Sequence, residues 1–265
     1  MRKLLVILVI LAGALCYHMT RPETIHEKVN PADSEAVGGF FAQGSSPAAI
    51  LPGLQKLPDP LQKAYGAWKI RDVAHRRTPQ AAWTALSRMS PYMPQALVAI
   101  EDRRFYSHHG VDPDAILRAT LVNIQADEVV EGASTITQQV VKNLLLSSDQ
   151  SLKRKVSEAG LALIVEARCS KDEILEMYLN TVFLGSGATG VKQAARVYFH
   201  TTPDKLTLSQ AAMLAGLPYA PSALNPYENP EGCKKRRNLV LRRMKEQGII
   251  TEAMEKEAVA APLLK

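Results

Sequence analysis

Five times along this chain a helix-capping residue stands just ahead of an apolar run, and that repetition limits the chain to a fold built mainly from helices. Ser90 precedes Pro91 and Asp112 precedes Pro113, while Thr135, Ser170 and Thr207 each stand three residues before a Gln or Glu, at Gln138, Glu173 and Gln210. A short oxygen-bearing side chain there accepts from an orphan N–H of the first turn, and the Gln or Glu returns a bond to the capping residue. Proline suits the first helical position because the N–H it lacks would go unpaired anyway. These signals predict a helix ending at Glu101, one from Pro113 through Ile116, Leu117, Ala119, Thr120 and Ile124, and one from Ser134 or Thr135 to about Leu146. Further helices are expected over Leu152 to Val165, burying Val156, Ala159 and Leu163, over Glu173 to Leu179, and from Thr207 to a stop at Gly216 and Pro218. A basic helix from Cys233 to Gln247, ended by Gly248, whose Lys234, Lys235, Arg236, Arg237, Arg242 and Arg243 suit either phosphate contacts or a solvated face, and an amphipathic stretch from Thr251 to Ala260 complete the set.

Glycines Gly185, Gly187 and Gly190 match the spacing G-x-G-x-x-G of dinucleotide sites. The flanks are helical rather than βαβ, so a tight loop between helices is the better reading.

The chain has 265 residues, 46% of them hydrophobic, which is enough to bury a single good-sized core. Arg2 and Lys3 precede an apolar run from Leu4 to Leu15 that continues weakly through Met19. This is short of the roughly 20 residues of a full span and also fits a signal-peptide core, with a retained anchor favoured over cleavage. Either way the positive residues stay inside and the bulk of the chain is exported. Between Thr20 and Thr78 scattered prolines and glycines predict a stalk, with one short helix at Leu61 to Val73. The expected division is therefore an anchor or signal over 1–19, a stalk over 20–82, a folded domain over 83–250 and a helical tail over 251–265.

A formal charge of +6 points to an anionic partner, and with only 6% aromatic residues and no zinc knuckle a membrane or phosphorylated lipid suits it better than nucleic acid. Cys16, Cys169 and Cys233 show no CxxC spacing, so free thiols are expected rather than a zinc site, although Cys169 and Cys233 could pair outside the cytoplasm.

The chemistry gathers in three stretches. EDRRFYSHHG, from Glu101 to Gly110, closes the apolar run Ala96 to Ile100, which brings a carboxylate out at the lip of a packed helix. GASTITQQ, from Gly132 to Gln139, followed by Lys142, places Thr135, Gln139 and Lys142 on one helical face. Arg154 and Lys155 lie four and three residues before Glu158, a spacing equally suited to a surface ion pair worth about 0.2–0.5 kcal/mol and to a binding site.

EDRRFYSHHGVD, GASTITQQVVKN, RKVSE, EILEMYLN and LAGLPYAPSALNP occur in the order found in family 51 glycosyltransferases, the peptidoglycan polymerases, and the chain resembles that family over roughly Trp83 to Gly248. The resemblance implies a lysozyme-like helical large lobe with a small jaw lobe beside the membrane, the jaw at about Arg104 to Val130, its apolar stripe partly touching lipid. With the chain ending at Lys265, the stand-alone type without a transpeptidase domain is expected. The implied reaction joins the 4-hydroxyl of a GlcNAc to C1 of the growing strand's terminal MurNAc and expels undecaprenyl diphosphate, with inversion. Glu101 is then the base. Glu158 is the second carboxylate, supporting the diphosphate or a divalent Mg2+ or Mn2+ ion, or stabilising charge at C1. No organic cofactor is implied. Lys142, Arg154 and Lys155 would hold the diphosphate, with Asp102, Phe105, His108, Ser134, Thr135, Gln138, Gln139 and Asn143 also at motif positions around the groove. Implied partners are lipid II, the glycan strand, the membrane and other cell wall synthases. Two departures stand out: Gln150 where the family often has Arg, with Lys153 as a possible substitute, and a looser Phe183 to Ser186 segment.

Overall fold

A computed structural model describes residues 58–126, 132–146 and 151–264. Its helices are α1 (Asp59–Trp68), α2 (Ile70–Arg77), α3 (Tyr92–Glu101), α4 (Pro113–Ala126), α5 (Ile136–Leu145) and α6 (Leu152–Glu166), then α7 (Lys171–Thr181), α8 (Val191–Phe199), α9 (Leu208–Gly216), α10 (Pro230–Glu246) and α11 (Glu252–Ala260). Among the described residues the one β-like pairing is an isolated antiparallel bridge between Phe183 and Thr189. The fold is mainly α, as the capping signals require.

The caps form largely as their chemistry dictates. Thr135, Ser170 and Thr207 each accept from the amide three residues on, and Gln138, Glu173 and Gln210 each return a bond to the capping residue's own amide. Asp112 Oδ1 accepts from the amides of Asp114 and Ala115. Ser90 differs. The helix starts at Tyr92, and the Ser90 N–H donates to the Pro203 carbonyl at 2.8 Å, so this serine ties the helix entry to a distant loop. Helix α8 carries no capping signature in the sequence because its N-cap is Gly190, at φ 77°, which has no side chain to accept a bond. The loop before it takes positive φ at Gly185, Ser186 and Gly187, a tight connection between α7 and α8 and not a phosphate cradle opening from a strand.

The helices pack in two groups. α5 lies against α6 and α7, with α1 and α2 on the same side, while α3 lies against α9 and α10, and α11 closes on α10. Residues 59–82, expected as the end of a stalk, belong to the first group. Ile70, Val73 and Ala74 of α2 are fully buried, and Trp83 Nε1 donates to Glu176 at 2.8 Å. The prolines there stand at 58 and 60, at the cap and first turn of α1, and at 79, just ahead of a single 3-10 turn over Gln80–Ala82, where they start helical turns and do not forbid them. The expected anchor over 1–19 and the first part of the stalk lie outside the described residues, within which no helix is long and apolar enough to cross a membrane.

Two further expectations are corrected. On α6 the apolar residues Val156 and Leu163 face out, 67% and 53% exposed, and the buried side is formed by Glu158, Leu161, Ala162 and Val165. On the basic helix α10, Arg237 is neither a phosphate contact nor a solvated residue but, among the described residues, the largest fully buried side chain. Its Nη1 donates to Ser209 Oγ and the Ala261 carbonyl, and its Nη2 to the Val259 carbonyl and Asn238 Oδ1. Cys169 and Cys233 are buried free thiols.

Arg237 therefore clamps the end of α11 to α9 and α10. Arg237→Met should lower unfolding stability by about 1–3 kcal/mol, because the two carbonyls lose a buried donor. Urea titration would measure the loss, and limited proteolysis should show cleavage appearing first around α11.

Candidate active site

The site is assembled where the two helical groups meet, along one face of α5. Glu101 is the last residue of α3, and the chain leaves the helix at Asp102, whose φ of −158° is extended. Side chains of Asp102, His108 and Thr135 then fix the path from α3 to α5. Asp102 Oδ2 accepts from the Ile136 amide at 3.0 Å, the first N–H of α5, and both Asp102 oxygens lie 3.0 Å from His108 Nε2. A carboxylate at a helix N-terminus is stabilised by the unpaired amides and by the helix dipole. Thr135 Oγ1 accepts from Gln138 and donates to the Gly110 carbonyl at 2.6 Å. Gly110 sits at φ 85°, where a Cβ would lie 2.9 Å from the Ala162 carbonyl oxygen, so only glycine lets this turn approach α6.

With α3 docked on α5 in this way, Glu101 Oε2 accepts from Gln139 Nε2 at 2.7 Å. The Gln139 amide has no choice of orientation. Its carbonyl accepts from the hydroxyl of the buried Tyr178 at 2.8 Å, which turns the NH2 toward Glu101. Burial pushes the Glu101 carboxyl above its ordinary pKa, with the neighbouring Asp102 adding to the rise and the Gln139 bond and Arg236 opposing it. Arg236 Nη2 stands 3.8 Å from Glu101 Oε1.

The second acid lies further along the same face. Glu158 is 1% exposed and receives Arg154 Nη1 at 2.7 Å and Lys155 Nζ at 2.5 Å, one on each oxygen. Lys155 also donates to Ser134 Oγ at 2.7 Å, tying α6 to the entry of α5. Lys142, one turn beyond Gln139, is held below the ordinary ammonium pKa, first by lost hydration and then by the nearby charges of Arg154 and Lys155, with Glu158 opposing. Three cations around one carboxylate leave a net positive pocket, with the buried Arg154 Nε unpartnered.

Of the residues singled out in the sequence, the structure brings together Glu101 with Gln139, and Glu158 with Arg154, Lys155, Ser134 and Lys142. The others play a different part. Phe105 is fully buried with the Lys171 ammonium 4.5 Å above its ring, so it packs the core and lines no groove. Asp102, His108, Thr135 and Gln138 are buried among one another as the frame of the α3–α5 junction. Asn143 contributes its backbone, its carbonyl accepting from Arg77 Nη1 at 3.1 Å. Gln150 lies outside the described residues, and Lys153 is exposed. Arg236 was expected only among six basic residues suited to phosphates or solvent, not beside Glu101, and Tyr178 was not anticipated. A basic run such as Lys234 to Arg237 does not reveal which cation turns inward, and Tyr178 lies within an otherwise ordinary helical pattern.

Glu158 was a candidate metal ligand, but the donor set does not fit that role. Both its oxygens are taken by cations, and among the described residues no group of three or more His, Cys, Asp or Glu side chains converges.

A family model described as transglycosylase matches residues 69–245. The chain belongs to that family. The match begins in the turn between α1 and α2, in keeping with the burial of α2, and it agrees with the resemblance carried by the five motifs. Among curated relatives of the chain, penicillin-binding protein 1A of Aquifex aeolicus is 43% identical over 81% of this chain and 31% of its own length. Penicillin-binding protein 1A of Escherichia coli is 49% identical over 63% of this chain and 20% of its own. A Cupriavidus necator protein named as a transglycosylase is 45% identical over 72% of this chain and 81% of its own. The chain thus spans about a third or less of the penicillin-binding proteins it matches.

Glu158→Gln should cost about 1–3 kcal/mol of stability, since Arg154 and Lys155 would keep their charges without the carboxylate that compensates them. The measurement is the denaturant midpoint, and a loss confined to a few tenths of a kcal/mol would reduce the cluster to a surface ion pair.

Proposed function

We propose that this transglycosylase is a peptidoglycan glycosyltransferase that polymerises lipid II into β-1,4 glycan strands and releases undecaprenyl diphosphate. The observation that supports it best is the pairing, along one face of α5, of a desolvated carboxylate with a separate cluster of cations. A sugar hydroxyl is a poor nucleophile at neutral pH and needs a base, and a carboxyl whose pKa is raised by burial is the stronger base for it. Glu101 takes the proton of the GlcNAc 4-hydroxyl as its oxygen bonds to C1 of the MurNAc, and the bond from C1 to the phosphate oxygen breaks in the same displacement. The leaving diphosphate needs its charge neutralised rather than a proton, which is the task of Lys142, Arg154 and Lys155. Glu158 holds the last two of these apart and in place. A single displacement from an α-linked diphosphate inverts the anomeric carbon, and no glycosyl-enzyme intermediate forms. A divalent cation from solution, carried in by the diphosphate rather than held by the protein's own side chains, is compatible with this scheme.

A lysozyme-like large lobe carries the two acids, and α4 with the turns before it forms the jaw. Helix α4 exposes Leu117, Leu121 and Ile124 at spacings of four and three, an apolar stripe suited to a bilayer surface. The domain would then work on the extracytoplasmic face of the cytoplasmic membrane, behind an N-terminal anchor, beside other cell wall synthases.

Incubation of the purified protein with labelled lipid II tests the reading. Long glycan strands support it, and retention of lipid II without turnover would point to a binding module. Glu101→Gln should abolish polymerisation, by about 100-fold or more, while keeping lipid II binding. Its stability is informative too. The folded Glu101 carboxyl keeps its proton to higher pH than the unfolded one, so the wild type loses stability as pH rises through that window. The Gln variant lacks this loss, and its melting temperature at neutral pH should be no lower than wild type. Lys155→Ala should slow turnover far more than Lys256→Ala at the exposed end of the chain, and equal rates would remove the diphosphate role.

A further inference from the structure

Helix α10 brings one arginine of its basic run into the site, and three features of its surroundings are built around that side chain. Arg236 Nη2 stands 3.8 Å from Glu101 Oε1, and the two side chains are 18% and 13% exposed. Its Nε donates to the Gly216 carbonyl at 3.3 Å, at the end of α9. Its guanidinium lies 4.5 Å above the ring of Tyr219, a residue that is itself 72% exposed. Gly216 is required for this path, because a Cβ there would stand 2.8 Å from Arg236 Cγ. The helix is fixed relative to α3 by Gln247, whose Nε2 donates to the Ala99 carbonyl at 2.9 Å.

We propose that Arg236 is a positioning residue for Glu101: threaded past Gly216 and covered by Tyr219, it holds the Glu101 carboxylate ionised and aimed into the groove between substrate turns. The inference rests on reading Glu101 as the base for the acceptor hydroxyl. The other groups facing Glu101 do not supply this charge. From α5 it meets the neutral Gln139 amide, and behind that the Tyr178 hydroxyl of α7. Asp102, next in the chain, is an acid and acts in the opposite direction. Helix α9, with the sequence LSQAAMLAG, has no titratable side chain. Burial among these neighbours alone favours the protonated acid, whereas one cation within about 4–6 Å favours the charged form by roughly one to three pH units. The separation of 3.8 Å, longer than a hydrogen bond, leaves Oε1 able to accept the substrate's proton. The Tyr219 ring over the guanidinium restricts its hydration and its rotation, which strengthens the field at the acid.

The test reads Glu101 itself. In protein carrying 13C-labelled glutamate, the Glu101 carboxyl signal is assigned by its absence in Glu101→Gln and titrated in wild type, Arg236→Gln, Arg236→Lys and Tyr219→Ala. The expected result is a rise in the Glu101 midpoint of about one to three units in Arg236→Gln, most of it restored in Arg236→Lys, and a smaller rise in Tyr219→Ala. The acid limb of kcat/KM for lipid II should move up by the same amount, with activity recovering at high pH. An unchanged midpoint in Arg236→Gln, or a loss of activity equal at every pH, overturns the proposal. Tyr219 is on the surface, so its variant reports even if Arg236→Gln folds poorly. A midpoint that shifts in the variants of a protein that makes no glycan would overturn the proposed function and leave the ion pair standing, and glycan synthesis without the shift would do the reverse.

Discussion

The contact between the Asp102 carboxylate and the first amide of α5 is what the site depends on. It brings the end of α3, which packs with α9 and α10, against the start of α5, which packs with α6 and α7. Helix N-termini have unpaired N–H groups that must be satisfied, so a carboxylate from another element is held there firmly and in one register. His108 and the Thr135 bond to Gly110 brace the same junction. Once it is set, Glu101 falls beside Gln139 one turn along α5, and Ser134 falls beside Lys155.

The protein then gives two glutamates opposite environments. Glu101 is surrounded by an amide, a single guanidinium 3.8 Å away and apolar packing, so lost hydration dominates and its proton affinity rises. Glu158 is more deeply buried, 1% exposed against 13% for Glu101, but each of its oxygens meets a cation. The first arrangement suits a group that must take and release a proton, and the second a group that must keep positive side chains in order. Separating two acids by environment is how one fold assigns them different work. The same helix face separates them in space, with Gln139 serving one acid and Lys142 lying near the other.

Helix α6 shows why the second acid is inward. Its apolar residues fall on two sides, with Leu161, Ala162 and Val165 toward α5 and Val156 and Leu163 toward solvent. A helix that buried the second set would turn Glu158 to water and reduce its ion pairs to surface contacts of little consequence. The exposed apolar residues of α6 and α4 are thus the counterpart of a polar site buried on the other side.

The sequence by itself determined the helices and their starts, because caps act through bonds between residues two or three apart. Thr135 with Gln138, Ser170 with Glu173, Thr207 with Gln210 and Asp112 all work without knowledge of the rest of the chain. It missed α8, whose glycine cap leaves no such mark, and it took α1 and α2 for a stalk, since a short helix with a small buried stripe looks the same whether or not a partner covers it. The five motifs also pointed to the two glutamates and the cations through resemblance to a family. Only the tertiary structure decided which face of each helix turns inward. That choice moved Phe105, Asp102, His108, Thr135 and Gln138 from the groove into its frame, buried Arg237 as a clamp, and set Arg236 beside Glu101. Adjacent arginines on a helix are alike in sequence, and their roles part only when neighbouring helices take up one side, because burial and charge pairing are properties of the packed whole.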